Sequence, residues 1–170
     1  MKKIILLMSL VASTCVIASL TAADAVQNKN TKDEDIVTTI NALMDNVSRT
    51  AETLDAKKAL SVLTDDKDAV FFFCSKPYNR QELEKKLAKI YGNLSSMKIN
   101  MNKPSVKVLA PDAAVWIATG TSSSVSKSGE KYEELLTETW IWKKIDGKWK
   151  VIHYNESATT PDPAPEKTGK

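Results

Sequence analysis

His153 is the chain's only histidine, and it sits among groups that could exchange protons with it. It belongs to the stretch 133–157, E-E-L-L-T-E-T-W-I-W-K-K-I-D-G-K-W-K-V-I-H-Y-N-E-S, which also holds Glu138, Asn155 and three of the four tryptophans. An imidazole next to a carboxylate can serve as a general base, with the carboxylate fixing its tautomer and orientation. The same pair is also the ordinary environment of a hydrogen-bonded structural histidine. A second candidate for chemistry is Cys74, with Lys76 and Arg80 nearby. A nucleophilic thiol needs a lowered pKa and a base. Following Phe71-Phe72-Phe73, the cysteine is more simply a small buried apolar residue.

Two strands joined at Asp146-Gly147 would position the first group. Asp-Gly between alternating apolar residues signals a two-residue hairpin loop. Counting outward from that loop sets Trp142 against Val151, Trp140 against His153 and Glu138 against Asn155. The opposite face pairs Lys143 with Lys150, Ile141 with Ile152 and Thr139 with Tyr154. A four-residue loop keeps the same faces and moves Glu138 across from His153. A slip of one residue would exchange the faces. The expected inner face thus carries Trp140, Trp142, Trp149 and Val151, ending in Glu138, His153 and Asn155. An apolar wall with a few convergent polar groups is the make-up of a small-molecule pocket. It is also the make-up of a core wall with a polar rim.

Ahead of the hairpin, Asp33-Glu34-Asp35 opens a helix at its positive end. Ile36, Ile40, Leu43, Met44, Val47, Ala51 and Leu54 then fall on one stripe. Asp55 is placed to cap a short helix over 56–63, and residues 69–74 suit a buried strand. Lys76-Pro77-Tyr78 breaks the chain. Asn79 and Glu82 have capping-box spacing for a helix carrying Leu83, Leu87, Ile90 and Tyr91, ended by Gly92 as a C′ glycine. From Met97 the apolar period becomes two. Pro104 marks an edge strand or a bend, and further strands are expected over 113–124, 131–144 and 148–157. Helices set apart from an antiparallel meander make an α+β domain.

The first residues set the expected compartment. Met1-Lys2-Lys3 is basic, residues 4–20 carry no charge, and small residues follow at Ala22, Ala23 and Ala25. This is the pattern of a signal peptide over 1–23, with an uncleaved anchor as the competing reading. A flexible lead-in (24–32), a domain (33–158) and a proline-bearing tail (159–170) complete the expected organisation. The chain is then exported, periplasmic or secreted, with no stable membrane insertion once the signal is removed. Of its 170 residues, 24 are basic and 21 acidic. Without Lys2 and Lys3 the charge falls from +3 to +1, which excludes a basic field for nucleic acid. Loss of Cys15 would leave Cys74 alone, so no intrachain disulfide is expected. One histidine and no cysteine cluster argue against a metal site. No glycine-rich phosphate loop is present, and no cofactor is expected.

The hairpin resembles the closing hairpin of SnoaL-like proteins, in the nuclear-transport-factor-like superfamily that includes ketosteroid isomerases and the association domain of calmodulin-dependent kinase. Thr139, Asp146, Gly147, Trp149, Val151, His153 and Ser157 match its pattern, while Asn155 stands where a second histidine is common. The order of elements agrees over roughly 33–157. The resemblance implies a cone-shaped, cystatin-like roll: N-terminal helices held in a strongly curved antiparallel sheet, with a cavity at the open end. It also implies a homodimer packed through the outer sheet face. Three functions follow from it. The first is a binder of a small apolar or amphipathic molecule, contacted by Trp140, Trp142, Val151 and Asn155. The second is an isomerase or dehydratase with His153 as base, Glu138 orienting it, and Asn155 or Tyr154 near the substrate. The third is an oligomerisation module with Ile141 and Ile152 in its interface. The residues leave catalysis open, since the fold hosts many functions.

Overall fold

The computed structural model describes residues 12–161, with side chains described for 32–161. The first eleven residues of the expected signal peptide and most of the expected tail lie outside the described residues. The elements are helices α1 (Ala12–Glu52) and α2 (Ala56–Ala59), a 3₁₀ turn (Leu60–Val62), strands β1 (Phe71–Phe73) and β2 (Lys76–Tyr78), helix α3 (Arg80–Tyr91), then strands β3 (Leu94–Ala110), β4 (Ala113–Ser126), β5 (Lys131–Ile145) and β6 (Lys148–Thr159). They form one six-stranded sheet in the order β2-β1-β6-β5-β4-β3. All pairings are antiparallel except β1 with β6. The α+β class expected from the sequence is the one observed.

The helices follow their local signals. Ile40, Met44, Val47 and Ala51 bury the stripe of α1 against the sheet. Glu52 then fastens the end of α1 to β3. Its carboxylate accepts from the Ile99 backbone N–H at 2.9 Å and from Lys98 Nζ at 3.0 Å. These contacts hold the carboxyl below its ordinary pKa, the Ile99 bond most of all. Asp55 caps α2 by accepting from the Lys58 N–H at 3.0 Å. Asn79 and Glu82 complete the capping box of α3 at 2.9 and 3.0 Å. Among the described residues no helix is long and apolar enough to cross a membrane.

The backbone of 24–32, expected as a flexible lead-in, runs within α1. That segment has neither glycine nor proline, so nothing in it stops the helix propagating backwards. Three local expectations are corrected. Gly92 closes α3 at a right-handed φ of −59°, so it serves by lacking a Cβ, which would meet the Ala88 carbonyl at 3.1 Å. Lys76–Tyr78 is not a break but strand β2, an edge where Pro77 costs no ladder bond. Cys74 and Ser75 form the tight turn into it at positive φ, and Cys74 is exposed rather than buried.

The meander is built as its alternation requires. On β4 the inward residues are Ala114, Trp116, Ala118, Gly120 and Ser122, and on β5 they are Leu136, Glu138, Trp140 and Trp142. β3 is the other edge, irregular between Asn102 and Ser105, where Pro104 sits. The core joins Ile40, Leu60, Leu63, Phe71 and Leu83 to Trp116, Trp142 and Val151.

Candidate functional site

The hairpin turn forms as expected. Asp146 and Gly147 both have positive φ (49° and 76°), and Ile145 pairs with Lys148. The expected pairs Lys143–Lys150 and Trp142–Val151 follow. One position further the ladder shifts, because Ile152 is an extra residue with no partner on β5. A bulge of this kind inverts the facing of everything beyond it. Trp140 therefore pairs with Tyr154, Ile141 with His153, Thr139 with Asn155 and Glu138 with Glu156. The bulge sits where β6 changes its other neighbour. The Val151 carbonyl accepts from the Thr64 N–H at 2.9 Å, and from Tyr154 onward β6 pairs with β1.

The consequences for the expected site are direct. Glu138 and Trp140 are on the inner face, and His153 and Asn155 are on the outer one. His153 shares no face with Glu138, so their expected pairing is corrected. The His153 Nδ1 lies 2.9 Å from the Val70 carbonyl. A carbonyl only accepts, so that nitrogen carries the proton. The ring packs on Phe72, with centroids 5.9 Å apart. Asn155 is exposed. Trp142 and Val151, expected as ligand contacts, are fully buried in the closed end of the core. Of the expected contacts, Trp140 lines the cavity, together with Glu138.

In place of the histidine, the bulge brings Tyr154 and Glu156 inside. The cavity has a volume of about 360 Å³ and lies between α1, α3 and the concave sheet face. Its wall on β3 is Met97, Ile99 and Met101, and its wall on β4 is serine at 122, 124 and 126. Those small side chains, with Gly120 next to them, leave the space that the large residues near the closed end fill. Trp140 and Tyr154 pack against each other at the inner end, with ring centroids 4.5 Å apart and planes tilted by 33°. Their polar ends hold the two carboxyls. Trp140 Nε1 donates to Glu138 Oε2 at 2.7 Å, and the Tyr154 hydroxyl donates to Glu156 Oε2 at 3.1 Å.

Two carboxyls facing each other across adjacent strands in an apolar chamber cannot both ionise cheaply. Burial pushes Glu138 up to about 7, with the Trp140 bond opposing it. Burial, then the charge of Glu138, pushes Glu156 up to about 8. Burial also raises the Tyr91 and Tyr154 hydroxyls, which stay protonated donors. With both values raised, the pair can take up and give up protons near neutral pH, which suits proton transfer or hydrogen bonding of a polar ligand end. Cys74 is not activated, since partial desolvation of its thiol and then the nearby Glu156 raise its pKa. Among the described residues no group of side chains could hold a metal ion.

Sequence reasoning missed Glu156 and placed Tyr154 outside. The available signal was the second half of H-Y-N-E-S, where a carboxylate and a phenol alternate with His153 and Asn155. Either set could face inward, and only the bulge decides which does.

Comparison with known proteins agrees with this architecture. The model of the calcium/calmodulin dependent protein kinase II association domain family matches residues 72–160, just over half the chain. A Xanthomonas campestris structure assigned to that same association domain is 24% identical, with a TM-score of 0.62, covering 75% of this chain and 87% of its own. An NTF2-like superfamily protein from Salmonella enterica serovar Typhimurium is 16% identical, with a TM-score of 0.63 and coverages of 84% and 99%. Hexachlorocyclohexane dehydrochlorinase LinA-type3 from Novosphingobium barchaimii is 11% identical, with a TM-score of 0.66 and coverages of 81% and 95%. No curated protein sequence matches significantly. At these identities the structural likenesses speak for the fold, which is NTF2-like as the hairpin resemblance implied.

Proposed function

The chain belongs to the calcium/calmodulin dependent protein kinase II association domain family, and from that premise we propose that it is an exported protein that binds a small amphipathic molecule inside its cone. One observation carries this reading: a chamber of about 360 Å³ that the core leaves unfilled, apolar along its helical and β3 walls, with serines on β4 and Glu138 and Glu156 at its inner end. Cores are normally packed without space of this size. Leaving it open while burying two carboxyls lowers stability, and ligand binding offsets that cost.

The test is saturable binding of the neutral fluorophore Nile red by the purified protein, compared with Ser122→Phe. The buried Ser122 faces the chamber from β4, so the added ring occupies it. The reading expects saturable binding that the folded Ser122→Phe protein loses. A folded variant that binds as well as the parent contradicts it.

A second reading is favoured by the carboxyl pair itself. An isomerase- or dehydratase-type reaction would use Glu138 and Glu156 as base and acid, and His153, on the outer face, would take no part. The fold is shared with a dehydrochlorinase. Export rests on the basic and apolar residues at the start of the chain. A homodimer through the outer sheet face rests on exposed apolar residues there, Ile117 and Leu135 among them.

A further inference from the structure

The chamber presents acids and no base to answer them. Glu134, Glu138 and Glu156 line it, and none of its lining residues is a lysine, arginine or histidine. Every ion pair among the described residues lies elsewhere: Lys58–Asp55, Lys67–Asp68, Arg80–Asp65 and Lys98–Glu52. The protein's own donors reach the inner carboxyls only once each. Glu138 spends Oε2 on the Trp140 indole, and Glu156 spends Oε2 on the Tyr154 hydroxyl. Their Oε1 atoms take no hydrogen bond from the described residues.

A separate observation points to an occupant. Ser122 is 7% exposed, lines the chamber from β4, and its hydroxyl has no hydrogen-bond partner among the described residues. Its oxygen opens into the chamber and is left free for a polar ligand atom to meet. Aromatic rings share the chamber with these atoms: Trp140 and Tyr154 packed together, with Phe73 and Tyr91 also in the wall. Carboxylates with aromatic faces are the environment that recognises an organic cation.

We propose, resting on the binding reading above, that the occupant is a lipophilic amine bound as its ammonium ion. The N–H groups donate to Glu138 and Glu156, and the apolar body lies along Met97, Met101 and Leu87. A neutral alcohol could use the same hydrogen bonds but gains nothing from the charge, and a carboxylate ligand meets only acids and no base. Every titratable group facing the inner pair is an acid: Glu134 and Tyr132 on β5, Tyr154 on β6 and Tyr91 on α3. No neighbouring base can therefore compensate. Entry of an ammonium ion drives protons off the carboxyls, and binding of the amine strengthens as pH rises through their titration.

The test is calorimetry of the full chain with phenylbutylamine, phenylbutanol and phenylbutyrate, near neutral pH, in two buffers of different ionisation heat. The amine is expected to bind at least about tenfold more tightly than the alcohol, the equivalent of one well-placed charged hydrogen bond. The butyrate is expected to be weakest, and the heat of amine binding is expected to report proton release to buffer. In Glu138→Gln/Glu156→Gln the amine-to-alcohol ratio falls towards one. If that variant does not fold, proton release by the parent protein decides the matter alone. Equal affinity for amine and alcohol, a preference for butyrate, or amine binding without proton release overturns the ammonium assignment. Nile red binding separates the two claims. If Nile red binds while the amine shows no preference, only the ammonium assignment fails, and if neither binds, the binding reading fails with it.

Discussion

Glu138 and Glu156 are held where their protonated forms are favoured, and stability must follow their titration. Their folded pKa values, about 7 and about 8, lie above the ordinary 4.5. A raised carboxyl pKa means that the folded chain holds protons that the unfolded chain has released. The contribution is fully present below the unfolded value and is lost as pH rises through the folded ones. Thermal unfolding should therefore show stability falling between about pH 5 and pH 8. Glu138→Gln keeps an acceptor for the Trp140 indole and removes the charge. At alkaline pH it should be more stable than the parent by about 1–2 kcal/mol, or a few degrees in Tm. A parent protein whose Tm is flat across that window would contradict the burial of the pair. His153 has a different part. His153→Ala removes its bond to the Val70 carbonyl and its packing on Phe72, and should cost about 1 kcal/mol in urea unfolding. Nile red affinity should not move, and a large loss of affinity would return the histidine to the site.

At the scale of elements, the signals carried by a few adjacent residues were legible. Asp146-Gly147 specifies its turn, Asn79 and Glu82 specify the start of α3, and the stripe from Ile36 to Ala51 specifies the buried face of α1. Pro104 correctly marked an edge strand. What the sequence did not display was the bulge at Ile152, since Val151-Ile152-His153 is an unbroken strand-forming run with no glycine. Its position depends on a long-range partner, Thr64, docking on Val151. Half of the site hung on that one residue, because it decides whether His153 and Asn155 or Tyr154 and Glu156 face the chamber. Gly120 is a second element-level constraint. A Cβ there would lie 2.5 Å from the Asn100 carbonyl, where β3 and β4 close the wall. Gly120→Ala should lower stability by about 1–3 kcal/mol in chemical denaturation. A neutral result would mean that the edge strand can move aside.

For the whole molecule, the proposed function assigns ligand binding to the concave face and contacts between copies to the convex one. Ile117 and Leu135 are nearly half exposed on that convex side, and apolar residues in such places mark association surfaces. Light scattering on the purified protein should give a dimer mass, and Leu135→Glu should shift it towards the monomer. A parent protein that stays monomeric at high concentration contradicts this arrangement. The family fold was legible in the hairpin alone because turn, strand alternation and the Trp149–His153 spacing are local features. The chemistry inside was not, because it rests on which side of a bent strand each group ends up.

The Glu138–Glu156 pair is the polar heart of the chamber. This placement is tested most directly by following the glutamate carboxyl carbons by NMR as pH is raised, with Glu138→Gln and Glu156→Gln to assign them. Two coupled carboxyls titrating near or above neutrality, each shifted downward when the other is removed, is the predicted result. Both carboxyls titrating independently in the ordinary glutamate range would contradict it.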